Sequence, residues 1–402
     1  MKKLFSIVIS ILILVSILVL PNTVSAATND ANSFKTGTFV KCGGYYFFVD
    51  SNKNGRSTLY RVNSNGKNKK AISSITFYSK NNLLSYKNKL YFSSSKGVLC
   101  YNPKNNKKNF LKKGNYDAVG ICSRGVISQD YSTGLTLISF KKNVKKVASN
   151  SNEYLCSNNR YFFYYSNKLV GSKYKISMKR FNLSKNKSEK ASTFTVNRGW
   201  NSTINCYPAH VFKNTIMFTI GSYEGTMLNY SGSLYKMNSK GTGVKKILNQ
   251  SVNKFTPGKG CIYATYNPIY DYSLSECYKI TSNGKCAKVK GSMGFRESTS
   301  NNYYIFAKKT NTSSENFYSR YVAKGKSKKI FNGSSFIKSS DPYNAYVQGK
   351  GIDSYGNMAL FQIRVCSPEG GIGWRPLLLR TYTYMVNLKT GSKTLVSTTN
   401  NV

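Results

Sequence analysis

Short runs of aromatic and aliphatic residues recur along the chain, and each run is followed by alternating apolar and polar positions. Alternation with a period of two residues is typical of β-strands, and no segment has a convincing helical period. The runs are spaced by about 45 residues, which is the length of one four-stranded propeller blade. They start near Tyr45, Leu90, Val126, Tyr161, Ile216, Cys261, Tyr303 and Ala359.

The second half of each repeat contains another strand, a polar turn and a lysine-bearing strand. In the first repeat, residues 59–63 precede a turn at Asn65 and Gly66, two residue types that tolerate a positive φ in hairpins. One blade cannot bury both of its faces, whereas blades stacked around an axis cover each other. The sequence therefore predicts an all-β fold, a single β-propeller of seven or eight four-stranded blades, with eight favoured.

The N-terminal 26 residues have the composition of a secretory signal peptide. Lys2 and Lys3 precede an apolar run over residues 4–20, and small residues lead to Ala26. We predict cleavage after Ala26. An uncleaved anchor stays open, although the run is shorter than the ~20 residues of a usual span. The predicted organisation is a signal peptide (1–26), a short lead (27–37) and the propeller (38–402).

The first repeat has a recognisable pattern of segments, which are Tyr46-Phe47-Phe48-Val49-Asp50, Leu59-Tyr60-Arg61-Val62-Asn63 and Asn65-Gly66. This pattern resembles the Tyr-Trp-Thr-Asp propeller repeat of lipoprotein-receptor-related proteins, and it is similar to a secreted bacterial family of unknown function likened to those propellers. No repeat keeps the Trp. The resemblance covers essentially all of the mature chain and implies partner binding through a face of the ring, and it identifies no catalytic residue.

The chain is strongly basic, with 60 Lys and Arg against 14 Asp and Glu and a net charge of +46. Lysines recur in the last hairpin or the outermost strand of the repeats, so a closed ring would gather them into a basic belt. Two roles of such a belt stay open. Lysines on edge strands can block aggregation, and a strong positive field can attract polyanions. The predicted belt residues are Lys69, Lys70, Lys107, Lys108, Lys145, Lys146, Lys245, Lys246, Lys328 and Lys329.

Residue types that carry catalysis or bind metals are scarce. His210 is the only histidine, so a multi-histidine metal site is excluded, and we predict a structural role on an inner strand. We assign no catalytic residue, no metal and no cofactor.

The nine cysteines are an odd number, so at least one has no partner within the chain. Cys42, Cys122 and Cys156 share one repeat position and are predicted to be buried packing residues. Cys277 and Cys286 flank a predicted turn and are the best candidates for a disulfide, which an exported protein can form.

These observations predict a secreted, extracellular protein, either free or associated with the cell wall. Its predicted function is non-enzymatic binding of an anionic cell-wall polymer, a polysaccharide or a protein partner through the basic surface. Two alternatives stay open: a polysaccharide lyase or hydrolase with its site at the channel mouth, and a protein–protein scaffold. We expect no specific nucleic-acid partner, because no recognition motif occurs, and no membrane span once the signal peptide is removed.

Overall fold

The computed structural model describes residues 39–51, 57–75, 83–130, 132–197, 205–212, 214–224, 229–252, 254–258, 260–266, 276–289, 295–298, 302–310, 314–321, 326–368 and 377–400. The predicted signal peptide and lead lie outside these residues. No helix in these ranges is long and apolar enough to cross a membrane.

The described strands form eight antiparallel sheets, and each sheet takes four strands that are consecutive in sequence. The first strands of successive sheets contact one another in order, and that of the last sheet contacts that of the first. The sheets are therefore blades around one axis, with their first strands innermost. This arrangement confirms the predicted all-β propeller and sets the number of blades at eight.

The first four blades differ mainly in strand length. Blade 4 has the longest strands among them. The strands are β1 (Phe39–Cys42), β2 (Tyr45–Ser51), β3 (Ser57–Val62), β4 (Lys70–Ile75), β5 (Leu84–Tyr86), β6 (Lys89–Ser94), β7 (Gly97–Asn102), β8 (Lys107–Lys113), β9 (Asp117–Cys122), β10 (Gly125–Asp130), β11 (Gly134–Ser139), β12 (Val144–Ala148), β13 (Glu153–Ser157), β14 (Tyr161–Val170), β15 (Lys173–Asn182) and β16 (Lys187–Asn197).

Blades 5 to 8 continue the same order, with a 3₁₀ turn at Gly333–Phe336 between blades 7 and 8. Blade 8 again has long strands. The strands are β17 (Asn205–Val211), β18 (Thr215–Glu224), β19 (Asn229–Asn238), β20 (Lys245–Val252), β21 (Lys254–Gly258), β22 (Cys261–Tyr266), β23 (Glu276–Thr281), β24 (Cys286–Lys288), β25 (Phe295–Ser298), β26 (Tyr303–Lys309), β27 (Glu315–Tyr321), β28 (Lys328–Phe331), β29 (Tyr346–Tyr355), β30 (Met358–Ser367), β31 (Leu377–Asn387) and β32 (Lys393–Asn400).

The hydrophobic core is divided among the blade interfaces. Each of the eight interfaces holds one cluster of buried side chains, and the aromatic second strands supply much of it. Between blades 1 and 2, for example, fully buried Phe47 packs in one cluster with Phe92. Burying one such side chain stabilises the fold by about 1.5–3 kcal/mol, which explains why an aromatic or aliphatic run recurs once per blade.

The contact between blade 8 and blade 1, which we call the seam, closes the ring with no strand shared between the two sheets in the part of the chain that the structure describes. Blade 1 contains only β1–β4 and blade 8 only β29–β32. Phe39 and Phe48 pack against Leu360 and Met385 across this contact. The Thr394 hydroxyl also donates a hydrogen bond to the Asn65 carbonyl over 2.8 Å. Side-chain packing and hydrogen bonds between blades therefore close the ring.

The disulfide predicted between Cys277 and Cys286 does not form. All nine cysteines are free thiols. Cys286 lies opposite Ile280 in the β23–β24 pair. Ile280 is three positions after Cys277 along β23. Because side chains alternate between the faces of a strand, Cys277 points towards blade 7 and Cys286 towards blade 5. Cys42, Cys122 and Cys156 are buried free thiols, as the sequence predicted.

His210 lies on the inner strand β17 and is buried, which agrees with the predicted structural position. Its ring meets the Phe212 ring edge to face, with 4.4 Å between the centroids. Burial lowers the pKa of the imidazole from 6.5 to about 3. The side chain is therefore neutral at physiological pH and too weak a base to accept a proton there.

Candidate ligand-binding surface

All ten lysines of the predicted belt are exposed, and we call this set the lysine rim. Nine lie on the fourth strands of blades 1, 2, 3, 5 and 7, and Lys69 immediately precedes β4. Corresponding strands of all blades run in the same direction relative to the ring axis. The starts of the fourth strands therefore lie at one end of the ring, near its outer circumference.

In several blades the tight turn before the fourth strand docks on the preceding blade. Gly66 in blade 1 and Gly241 in blade 5 occupy equivalent turn positions, both with φ +83°. A side chain at Gly66 would meet Thr394 of blade 8, and one at Gly241 would meet Phe163 of blade 4. The recurring glycine thus gives the turn its positive φ and lets its backbone approach the neighbouring blade closely.

Five cationic side chains and one threonine hold these turns, a role that the sequence did not predict. In each case a donor on one blade reaches a carbonyl or amide oxygen in the third-to-fourth-strand turn of the next blade. We call these contacts the interblade clasps. They are Arg61 to Asn106 Oδ1 (2.6 Å), Lys145 to Asn186 O (2.6 Å), Arg180 to Lys240 O (2.6 Å), Lys236 to Asn283 O (2.6 Å), Lys328 to Thr390 O, and Thr394 to Asn65 O (2.8 Å).

A sequence signal for the clasps does exist. Arg61, Arg180 and Lys236 each stand one position before the last apolar residue of a third strand. A basic residue recurring at one position of a strand that packs on a neighbouring blade indicates a structural contact. The identity of the acceptor could not be predicted, because a backbone carbonyl has no sequence signature.

The clasps and other contacts divide the lysine rim into two groups. Lys145 and Lys328 form clasps, and Lys108 donates to the Ile72 carbonyl of blade 1 over 2.8 Å. The Lys69 ammonium lies 3.3 Å from the Asp50 carboxylate and 4.0 Å from the centre of the Tyr60 ring. The other six have no partner within the described ranges, and we call them the free rim lysines: Lys70, Lys107, Lys146, Lys245, Lys246 and Lys329.

Several of the few acidic side chains are already neutralised by cations. Arg180 donates to Glu189 over 2.9 Å, and this bond holds the pKa of that carboxyl below its usual value. The Arg380 guanidinium likewise binds the Asp341 carboxylate with two nitrogens and lowers its pKa. Carboxylates bound in this way do little to offset the positive potential of the free rim lysines.

Metal chemistry finds no support in the described part of the chain, where no three His, Cys, Asp or Glu side chains come together as a metal site. The buried cysteine thiols of this protein are also poor nucleophiles. Burial raises the pKa of Cys42 to about 11 and raises that of Cys277 well above its ordinary value. Thiols of this kind stay protonated at neutral pH.

No family model and no curated protein matches the sequence. The resemblance to the lipoprotein-receptor-type repeat is therefore not confirmed beyond the propeller fold itself. Solved structures that share the fold do exist. A prolyl endopeptidase structure is 12% identical with a TM-score of 0.47 and covers 87% of this chain and 57% of its own. An acylaminoacyl peptidase from Pyrococcus horikoshii is 13% identical with a TM-score of 0.46, covering 85% and 59%.

The propeller domain of the Trilobed protease from Pyrococcus furiosus is 11% identical with a TM-score of 0.40, and it covers 92% of this chain and 98% of its own. The chain thus spans less than two thirds of the length of the first two peptidases. At these identities the likeness shows the fold alone and transfers no catalytic residue. These comparisons contradict the prediction of a non-enzymatic binding protein, because the similar structures are mainly peptidases.

Proposed function

We propose that this propeller selects acidic polypeptides along its outer edges, after the export that the predicted signal peptide supports. The observation that carries the proposal is the presence of the free rim lysines on the edge strands of four-stranded sheets. These strands combine positive charge with a sheet edge to which no further described strand is paired, and a polypeptide can bind to both.

The backbone of an edge strand favours a polypeptide over other polyanions. Among the described residues each fourth strand pairs with one neighbouring strand, so those outer N–H and C=O groups that the next blade does not bind can pair with an extended peptide as a further strand. Side chains on one face of a strand repeat every ~6.7 Å. Adjacent rim lysines such as Lys245 and Lys246 point to opposite faces of their strand, so carboxylates on one face of an added peptide strand meet one lysine of each pair. A sugar or phosphate polymer offers no such backbone pairing.

The positive charge of the edge strands makes them select acidic rather than basic peptides. Two lysine-bearing edges repel each other, which prevents pairing between copies of the ring, whereas an acidic strand is attracted. The attraction between exposed charges is screened at distances beyond ~8 Å at physiological ionic strength. Selection by charge can precede a chemical reaction, so the proposal is compatible with an enzyme.

Binding of fluorescent peptides to the full chain tests the proposal. A peptide of alternating Glu and Thr should bind with an affinity that falls steeply as salt is added, and its Gln-for-Glu counterpart should not bind. Polyphosphate of equal charge should compete only weakly, because it cannot extend the sheet. Equal binding of the Glu and Gln peptides would overturn the proposal, and so would polyphosphate that competes as well as the peptide.

A further inference from the structure

We propose that the groove between blades 3 and 4 is a specific site for a short acidic peptide segment. This inference rests on the proposed function, because it locates one ligand-binding site for the same class of ligand. It concerns side chains outside the lysine rim, on β15 and β16 and in the segment that follows β12.

The groove is large enough for a small ligand. It has a volume of about 590 Å³ and lies between the end of β12 in blade 3 and the strands β15 and β16 of blade 4. Pockets that bind small ligands usually have volumes of ~300–1,000 Å³. Val147 and Ala148 line its blade 3 side, and Lys175, Lys179 and Lys190 line its blade 4 side.

Asn152 supplies an acceptor that lacks a donor. Its side chain is only 3% exposed and belongs to the lining of the groove. Its Nδ2 donates to the Ser149 carbonyl (3.4 Å) and to the Ser149 hydroxyl (3.0 Å), which identifies the nitrogen end of the amide. The other end, Oδ1, is buried and has no partner among the described atoms. Buried polar atoms without a partner are rare in native structures, so this oxygen favours a ligand with an N–H donor.

The lysines supply a site for negative charge. Lys179 on β15 and Lys190 on β16 are register partners, so their ammonium groups project from one face of the sheet, and like charges in this arrangement repel. Lys175 lies on the same face as Lys179 because the two positions are four residues apart on one strand. A carboxylate bound among these ammonium groups would remove the repulsion.

The carboxylate already present in the groove does not perform this neutralisation. Glu189 Oε2 accepts a hydrogen bond from Arg180 over 2.9 Å, and Oε1 accepts one from Asn182 over 3.2 Å. Both oxygens are thus bound to residues other than the three groove lysines. The groove therefore requires an N–H donor and a carboxylate together, and an acidic peptide offers both within one residue.

Binding measurements on the full chain can separate this site from the rest of the surface. The test compares two double variants that remove the same net charge. Lys175→Met with Lys190→Met alters the groove, and Lys308→Met with Lys309→Met alters two exposed lysines of β26 that belong neither to the lysine rim nor to the groove. For a short Glu-Thr peptide, the groove variant should lose at least about tenfold in affinity, and the control should lose less than about twofold, because only one removes direct charged contacts.

The Asn152→Leu variant tests the N–H donor. It should weaken the short peptide by about tenfold, since one hydrogen bond to a buried partner is lost, and it should leave binding of a small tricarboxylate without N–H groups unchanged. Equal losses in the two lysine variants, or full peptide affinity in Asn152→Leu, would overturn this site. If the wild-type chain does not bind even the long Glu-Thr peptide, the proposed function itself fails. Melting curves should show that all variants remain folded.

Discussion

An alanine at Gly66 should weaken the seam between blades 8 and 1. Gly66 has φ +83°, and an added Cβ would lie 2.9 Å from Thr394 Cβ and 3.3 Å from Met385 Cε, both in blade 8. The positive φ costs about 1 kcal/mol in a residue with a Cβ. The overpacked contact adds about 1–3 kcal/mol. We therefore expect Gly66→Ala to reduce the free energy of unfolding by about 2–4 kcal/mol.

Two matched substitutions separate the backbone cost from the packing cost. Gly44 has φ +86° but no atom within 4 Å of an added Cβ, so Gly44→Ala should lose only the backbone contribution of about 1 kcal/mol. Gly241→Ala should cost as much as Gly66→Ala, because its Cβ would lie 2.8 Å from Phe163 Cε1.

Urea unfolding followed by circular dichroism measures these differences from the midpoints and slopes. Equal losses for Gly66→Ala and Gly44→Ala would show that the blade 1 turn does not pack on blade 8. The interfaces at Gly66 and Gly241 should respond alike, since both turns have the same φ and a similarly close neighbour. A much larger loss for Gly66→Ala than for Gly241→Ala would contradict this and show that the seam is the most sensitive interface.

The remaining predictions concern protonation and thiols. Burial lowers the pKa of His210 to about 3, so the unfolded chain, with the ordinary value near 6.5, binds this proton more readily. The contribution of His210 to stability is fully present above pH 6.5 and decreases as the pH falls towards 3, by up to about 1.4 kcal/mol per pH unit. Between pH 7 and pH 5 the free energy of unfolding, measured with urea, should fall less in His210→Asn than in the wild type. Equal decreases in the two proteins would contradict the low pKa of His210. The buried thiols should react slowly with an alkylating reagent in the native state, and all nine should react after denaturation with or without reductant. A mass difference equivalent to two thiols would instead reveal a bridge.

The repeat made the fold predictable from the sequence. Apolar second strands such as residues 45–51 recur because every interface buries one hydrophobic cluster, and this physical requirement repeats once per blade. The inner position of His210 and the buried cysteines followed from the same register of repeats. Periodic burial is thus what a single sequence can reveal.

Contacts that depend on exact register could not be predicted. The bulge between Met178 and Lys179 is what makes Lys179 the partner of Lys190, and no residue type marks it. The wrong disulfide has the same origin, since closeness to a turn did not reveal that Cys286 pairs with Ile280. The clasps and the groove could not be predicted for the same reason, because both depend on how neighbouring blades pack against each other.

The seam has a consequence for how this chain can be rearranged. Every blade is one uninterrupted stretch of sequence, so a circular permutant that is opened between any two blades and linked from residue 400 to residue 39 would keep all eight sheets whole. The covalent chain can therefore begin at any blade without dividing a sheet, provided that the cyclic order of the blades, and with it each interface cluster, is kept.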